Sequence, residues 1–244
     1  QWVGEQFTQH HPTLKYTLVP ILTEADQHTA SLSSCGGKGV FVKAIQQAVL
    51  DGHADITVHS AKDMPSSDTP GLSLACVPQR SACHDVCVAQ QPLAELPPQS
   101  RIGTSSPRRA DLLKQHYAHL TTIPIRGNVQ TRIEQWQSGH VDGLILAAAG
   151  LMRLGLTDTI IEHLDPKQFI PSAGQGTLAI ECRSDDDITE QYLKPLNDSI
   201  TQAALTAERA CMRALGGHCH APIAAYAYGD TALTLTAWVG NGPA

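Results

Sequence analysis

The sequence lacks long apolar runs, and it is poor in aromatic and charged residues. Its apolar stretches, such as residues 144–149, have the length of a strand, whereas a membrane-spanning helix needs about 18 or more consecutive apolar residues. Aromatic residues make up 5% of the chain, so a core must be packed mainly from aliphatic side chains. With 244 residues and 42% hydrophobic content, the chain can bury such a core. These proportions exclude a disordered chain and a membrane-spanning helix.

An excess of positive charge is also missing. There are 17 basic and 23 acidic residues, which give a formal net charge of −6. This balance argues against a nucleic-acid-binding protein that relies on bulk charge. We expect a monomer without nucleic-acid or membrane partners.

The seven cysteines do not form the even, regular pattern of a disulfide framework. We therefore expect a reducing, cytoplasmic environment and at least one thiol that is free for chemistry. Residue 1 is Gln, and no signal segment follows it. The sequence opens as if inside a helix and stops in a turn after a strand, so we expect a chain that is cut at both ends.

Strand-like and helix-like patterns alternate along the chain. Strands are predicted at residues 16–22, 55–59, 73–77, 85–89, 101–103, 120–125, 144–147, 162–164, 177–181, 223–227 and 232–239. Helices are predicted at residues 39–50, 107–119, 129–138 and 200–215. This alternation indicates βαβ units with largely parallel sheets. The proline-rich residues 92–98 would link two lobes, and residues 223–239 would begin a third, antiparallel unit.

Positive charge is concentrated in one segment. Residues 101–132 contain six cations and one acid, a local net charge of +5, which leaves −11 for the rest of the chain. Five of the six cations are arginines, which recognise carboxylates and phosphates in a bidentate way. The alternative is a solvated basic face.

The local sequence favours an anion site over that alternative. In Gly103-Thr104-Ser105-Ser106-Pro107-Arg108-Arg109, a strand ends and a helix begins with a serine cap and a proline. Free amides, hydroxyls and two arginines then meet at the positive end of a helix dipole. Arg126, Gly127 and Asn128 repeat the arrangement before a helix that carries Arg132. A ligand with several carboxylates or phosphates is indicated, bound at the carboxyl ends of strands.

A second candidate site follows the strand at residues 55–59. Lys62 and Asp63 lie just beyond it and could form an ordinary surface ion pair. Alternatively, the carboxylate stabilises a developing cation or acts as an acid or base. Lys38, in a glycine cluster just before the helix predicted at residues 39–50, could add an anion contact, although this cluster does not have P-loop spacing.

The third candidate is a thiol in a glycine-rich turn, Cys219, between His218 and His220. Such a thiol is either catalytic or covalently modified. A zinc site is the alternative, but consecutive residues of an extended chain point to opposite sides and could hardly bind one ion together. We therefore predict no metal.

Seven segments carry a resemblance to a known family. They are HSAKDMP at residues 59–65, GTSSPRR at 103–109, RGNVQTR at 126–132, AGLMRLG at 149–155, PSAGQG at 171–176, AERA at 207–210 and GGHCHAPI at 216–223. In this order they resemble the motifs of the porphobilinogen deaminase (hydroxymethylbilane synthase) family, and the resemblance covers essentially the whole chain.

The resemblance implies a transferase of tetrapyrrole (haem, porphyrin) biosynthesis. Such enzymes join four porphobilinogen molecules head to tail, release ammonia at each step and yield hydroxymethylbilane. They work on a covalently bound dipyrromethane cofactor, whose thioether cysteine matches Cys219, and their catalytic aspartate matches Asp63. The residues matching the cofactor- and substrate-binding set are Lys62, Thr104, Ser105, Ser106, Arg108, Arg109, Arg126, Arg132 and Arg153.

The resemblance also implies an α/β fold: two doubly wound lobes like those of periplasmic binding proteins and a smaller α/β third domain. We expect lobe 1 at residues 1–78 and 177–196, lobe 2 at residues 82–172, and a truncated third domain at residues 199–244. An alternative function is a non-catalytic two-lobed binding protein for a small polycarboxylate. A metal-dependent hydrolase that uses His218, Cys219 and His220 is a third reading.

Overall fold

The computed structural model describes residues 1–21, 39–217 and 221–241. The helices are α1 (Trp2–His10), α2 (Gly39–Leu50), α3 (Pro107–His116), α4 (Val129–Gln137), α5 (Ala148–Arg153), α6 (Asp187–Leu193) and α7 (Ser199–Ala214). The strands are β1 (Ile56–Ser60), β2 (Leu72–Cys76), β3 (Asp85–Ala89), β4 (Arg101–Gly103), β5 (Thr121–Ile123), β6 (Gly143–Ala147), β7 (Glu162–His163), β8 (Leu178–Arg183), β9 (Ile223–Tyr228) and β10 (Thr234–Val239). The predicted α/β class is confirmed.

The chain divides into two compact units. The first consists of the described residues of 1–80 and 177–206, and the second of those of 81–176 and 207–244. The chain therefore leaves the first unit after residue 80, returns to it at residue 177 and passes to the second unit again at residue 207. The expected lobe boundaries and the separate third domain at residues 199–244 stay predictions.

The first unit is built on a three-stranded sheet in the order β1-β8-β2. Both pairs are antiparallel, and Ser60 at the end of β1 faces Leu178 at the start of β8. Cys76, Ile180 and Leu193 belong to one core cluster of this unit, and Ala61 and Leu205 to another. The end of β1 is thus fixed by the strand that begins where the chain returns to this unit.

The second unit is built on a five-stranded sheet in the order β5-β4-β6-β3-β7. Every residue of β3 is buried. Because side chains alternate across a strand, Val86 and Val88 pack into one core cluster, whereas Cys87 and Ala89 pack into another. The short apolar strands of this sequence therefore form a sheet that is covered on both faces.

Strand pairing differs from the expectation of largely parallel sheets. Among the described strands, β4 pairs in parallel with β5 and β6, and the remaining pairs are antiparallel. The reason is topological: β8 arrives from the other unit and enters the first sheet between β1 and β2, opposite in direction to both. An alternation of strands and helices does not reveal such a returning strand.

Element positions follow the predictions closely, with one exception and two omissions. Residues 16–22 were expected to form a strand, but the described residues 14–21 have no regular structure. Their β-branched and aromatic side chains favour extended backbone, yet none of the described strands pairs with them. The short helices α5 and α6 were not predicted.

Candidate functional site

In the first unit, Lys62 and Asp63 lie on a single 3-10 turn, Ala61–Asp63, that directly follows β1. The amide of Ala61 donates to the carbonyl of Thr177 at 2.9 Å, and that of Met64 donates to the carbonyl of Ala61 at 3.2 Å. Ala61 is buried, whereas Lys62 and Asp63 are partly exposed. The turn therefore places a carboxylate and an ammonium at the carboxyl end of β1, as the sequence predicts.

In the second unit, the start of α3 is capped as predicted. Ser106 is the N-cap and accepts a hydrogen bond from the Arg109 amide at 3.4 Å, and Pro107 is the first helical residue. Thr104 Oγ1 accepts from the Ser106 amide at 3.2 Å. This end of the helix has its amides turned towards hydroxyl groups, a geometry that also suits an anion.

Ser105 joins the loop after β4 to the loop after β5. Its hydroxyl donates to the Ile125 carbonyl and accepts from the Ile125 amide at 3.0 Å. The Thr104 amide donates to the Ile123 carbonyl at 2.9 Å. Because β4 and β5 are parallel neighbours, the two predicted anion loops lie side by side at one edge of the sheet.

The loop after β5 presents two arginines. Arg126 is exposed, and Gly127 adopts the left-handed backbone with φ 106° before Asn128 caps α4 by accepting from the Thr131 amide at 2.9 Å. Arg132 donates from Nε to the Gly127 carbonyl at 2.9 Å. Burial, and then the positive charge of Arg109, lower the pKa of Arg132. The predicted residues Arg109 and Arg132 therefore lie within electrostatic reach of each other.

Arg153 comes from a third neighbouring strand. It is exposed at the end of α5, which directly follows β6, and β6 is the other parallel neighbour of β4. The loops and helices after β5, β4 and β6 thus each carry predicted arginines. A motif in one segment of the sequence could not show that these three arginine-bearing segments follow neighbouring strands.

Arg108 and Arg109 point into the protein, where both are bound to Asp85. Arg108 Nη2 donates to Asp85 Oδ2 at 2.8 Å, and Arg109 Nη2 donates to Oδ1 at 2.7 Å. Arg108 is 2% exposed; its Nη1 donates to the Ile170 carbonyl and its Nε to the Ser172 hydroxyl. Each nitrogen of Arg108 is therefore engaged, a geometry that favours a positioning role over direct contact with a ligand.

Asp85 was missed by the sequence reasoning. It is fully buried at the first position of β3, and Gln175 donates to its Oδ1 at 2.9 Å. Burial alone raises the pKa of this carboxyl, but Arg108, Arg109 and Gln175 more than reverse that effect and hold the pKa well below its ordinary value. The available signal was an aspartate that opens an otherwise apolar strand; its arginine partners lie more than twenty residues away.

Two predicted site residues, Lys38 and Cys219, lie outside the described residues. Among those described, Cys76, Cys83, Cys87, Cys182 and Cys211 are free of disulfides. Burial raises the pKa of Cys76 and of Cys87 to about 12, so neither thiol is a nucleophile near neutral pH.

The described part of the chain shows neither a cluster of metal-binding side chains nor a membrane-spanning helix. No cluster of three or more His, Cys, Asp or Glu side chains there could hold a metal ion. None of the helices in the same residues is long and apolar enough to cross a membrane.

Known proteins are similar to this chain over nearly its whole length. Porphobilinogen deaminases from Syntrophotalea carbinolica, Thiobacillus denitrificans and Coxiella burnetii are each 43% identical to it, over 98%, 97% and 99% of this chain and 77%, 79% and 79% of theirs. A periplasmic substrate-binding protein of an ABC transporter from Coxiella burnetii gives a TM-score of 0.45 at 14% identity, over 86% of this chain and 89% of that one. A TM-score of this size does not establish a common fold.

Two family models divide the chain between them. The model described as "Porphobilinogen deaminase, dipyromethane cofactor binding domain" matches residues 1–191, and "Porphobilinogen deaminase, C-terminal domain" matches residues 202–242. Together with relatives that share 43% identity, these matches show that the chain belongs to the porphobilinogen deaminase family.

Proposed function

We propose that this protein joins four porphobilinogen molecules head to tail, releases one ammonia for each, and adds water to release hydroxymethylbilane. The observation that carries the proposal is the arrangement of the second unit, where three adjacent parallel strands, β5, β4 and β6, all lead into arginine-bearing segments. Porphobilinogen carries an acetate and a propionate, so a growing chain brings several carboxylates to be bound.

The exposed arginines supply the carboxylate contacts in this proposal. Arg126 and Arg153 are exposed and Arg132 is partly exposed, so their guanidinium groups can reach a ligand from solvent. Bidentate arginine–carboxylate bonds are short, strong and directional. Thr104, Ser105 and Ser106 contribute hydroxyl groups and amides at the start of α3, and Arg109 adds positive charge next to Arg132. We also assign Lys62, and Lys38 outside the described residues, to the binding of substrate or cofactor carboxylates.

The residues of the second unit fit a dipyrromethane cofactor, which carries acetate and propionate groups of its own. We assign Cys219 as the thioether attachment point. When bound, the cofactor supplies the pyrrole carbon on which the chain is extended. The arginines fix its carboxylates and thereby its orientation, which is the main contribution a protein makes to a bound cofactor.

Asp63 is assigned to the chemical step. The substrate aminomethyl group is protonated at neutral pH, so when its carbon–nitrogen bond breaks, ammonia leaves with the bonding electron pair. The methylene carbon that remains is cationic through the pyrrole ring, and the Asp63 carboxylate stabilises that charge and hydrogen-bonds the pyrrole N–H. A carbon–carbon bond then forms, and the displaced ring proton is taken up by the ammonia.

The cellular location, the oligomeric state and the partners of the enzyme are also part of this proposal. We place the enzyme in the cytoplasm, as a monomer with a small-molecule substrate and no nucleic-acid or membrane partner. A non-catalytic polycarboxylate-binding protein would share the arginines, but it gives no role to the carboxylate of Asp63 or to a modified Cys219.

The test is ammonia release from porphobilinogen by the purified protein, together with the yield of hydroxymethylbilane. We expect four ammonia per product, and Asp63→Asn should lower kcat by about a hundredfold or more. Asp55→Asn is the matched control, because Asp55 is 85% exposed and lies before β1 instead of after it. Binding of porphobilinogen without ammonia release would favour the polycarboxylate-binding protein.

A further inference from the structure

A buried polar cluster in the first unit includes residues of β1, the strand that leads into the Asp63 turn, and has no part in the chemistry proposed above. Its members come from three elements and are each at most 5% exposed. They are Gln46, Thr57, His59 and Glu181.

One carboxylate oxygen holds the cluster together. Glu181 Oε2 accepts a hydrogen bond from Gln46 Nε2 at 2.8 Å and lies 3.0 Å from His59 Nε2. The same His59 nitrogen lies 3.2 Å from Thr57 Oγ1. A buried carboxylate is stable only when it is paired or hydrogen-bonded, and here two donors meet on one oxygen.

These bonds tie down both flanks of the Asp63 turn. His59 lies four residues before Asp63, in β1. Thr69 lies six residues after it, and its hydroxyl donates to Gln46 Oε1 at 3.1 Å. Through His59 directly, and through Gln46 and Thr69, the segment that carries Asp63 is anchored at both ends to Glu181.

The sheet topology makes this anchoring important for β1. Among the described strands, β1 pairs with β8 alone, so β8 fixes its position from one side. Glu181 lies in β8, and Gln46 lies in α2, which packs against β1 and β8. The carboxylate therefore joins β8, β1 and α2, and β1 leads directly into the turn.

We propose that Glu181 is a positioning residue of the reaction, which holds the Asp63 turn in place through His59 and Gln46. The proposal rests on the proposed function of Asp63. It goes beyond that function because Glu181 does not touch the reacting atoms and acts only by fixing where the Asp63 carboxylate lies.

Glu181→Leu tests the role, because leucine removes both acceptor oxygens but fills the space. We expect kcat to fall about tenfold or more with KM changed less than about twofold, because small displacements of a reacting group are costly. Glu181→Gln keeps one acceptor oxygen, so its kcat should lie within about threefold of the wild-type value. Glu190→Leu makes the same change at an exposed position of α6 and should leave kcat unaltered.

A double mutant separates positioning from general damage. In the Asp63→Asn background, adding Glu181→Leu should change the residual kcat less than about twofold, because the group that it positions is already gone. A full tenfold loss in that background would show that Glu181 acts elsewhere and would overturn the proposal.

Amide hydrogen exchange provides a readout that does not depend on turnover. In Glu181→Leu we expect faster exchange across residues 60–68 and unchanged exchange across residues 101–109 in the other unit.

If Glu181→Leu does not fold, Gln46→Met breaks one anchor only, and the same two measurements, kcat and amide exchange, apply to it. Unchanged exchange and unchanged kcat in a folded variant would refute the positioning role. A protein that never releases ammonia from porphobilinogen would instead refute the proposed function, and the positioning role with it.

Discussion

Arg109 and Asp85 are joined by two hydrogen bonds, from Nε at 3.2 Å and from Nη2 at 2.7 Å, both to Oδ1 of the carboxylate. Arg108 binds the other oxygen, Oδ2, at 2.8 Å. One fully buried carboxylate thus holds two guanidinium groups, which remain protonated in proteins. Asp85, Arg108 and Arg109 form a buried trio that keeps one net positive charge at the start of α3, where Arg109 lies near Arg132.

Asp85→Asn should be strongly destabilising. Removing one partner of a buried ion pair leaves uncompensated charge, which costs about 3–5 kcal/mol. The measurement is the free energy of unfolding from urea denaturation. Asp142→Asn is the matched control, since Asp142 pairs with Arg101 at 3.0 Å but both side chains are more than a third exposed. We expect a much smaller loss there. Equal losses for the two variants would contradict the account of the buried trio.

The Asp85 carboxylate makes the free energy of unfolding depend on pH. The pKa of Asp85 is held below its ordinary value, so its contribution is complete above the unfolded pKa of about 3.9 and is lost as the pH falls below that. The difference in unfolding free energy between the wild-type protein and Asp85→Asn should therefore be constant from pH 7 to 5 and shrink below about pH 4. A difference that grows on acidification would have the wrong sign for this mechanism.

Arg126→Ala should weaken substrate binding. A hydrogen bond to a charged group contributes about 1.5–3 kcal/mol, so KM should rise about tenfold or more. Arg101→Ala is the control on the same sheet, because Arg101 lies at the amino end of β4 and is already paired with Asp142. Its KM should not change. A similar rise in both variants would show that only the overall charge matters.

Gly176→Ala and Gly139→Ala separate backbone strain from crowding. Both glycines have left-handed backbone, with φ of 79° and 76°. A Cβ at Gly139 would meet nothing within 4 Å, whereas at Gly176 it would lie 2.5 Å from the Ala82 carbonyl oxygen. Gly139→Ala should cost about 1–2 kcal/mol from strain alone, and Gly176→Ala about 1–3 kcal/mol more. Thermal denaturation of both variants checks the order, and the reverse order would be inconsistent with the close approach of Ala82.

Local patterns predicted most elements of the fold and many residues of the candidate site, whereas Arg153 was indicated only by the family resemblance. The strand at residues 85–89 and the capped start at Ser106 and Pro107 follow from apolar runs and helix-start signals, which depend only on neighbouring residues. The pairing of β8 between β1 and β2 could not be predicted in this way, because it depends on a chain that returns after about a hundred residues.

Ion pairs between residues that are distant in sequence explain which features of the site could not be predicted. The excess of positive charge in residues 101–132 favours ligand-binding roles for Arg108 and Arg109, whereas in the structure both are paired with the distant Asp85. Likewise, Glu181 belongs to none of the motifs singled out in the sequence, and it meets His59 only because β1 and β8 pair. Charge pairing between distant elements is set by topology, and the candidate site needs that pairing for its geometry.

The proposed mechanism depends on Cys219, which carries the dipyrromethane on which the substrate is polymerised. Intact and peptide mass spectrometry of the protein, produced with porphobilinogen available, tests this directly. We expect the peptide with Cys219 to be heavier by the mass of two porphobilinogen molecules less that of two ammonia molecules, and Cys219→Ser to abolish this addition. An unmodified Cys219 thiol in a protein that nevertheless forms hydroxymethylbilane would contradict it.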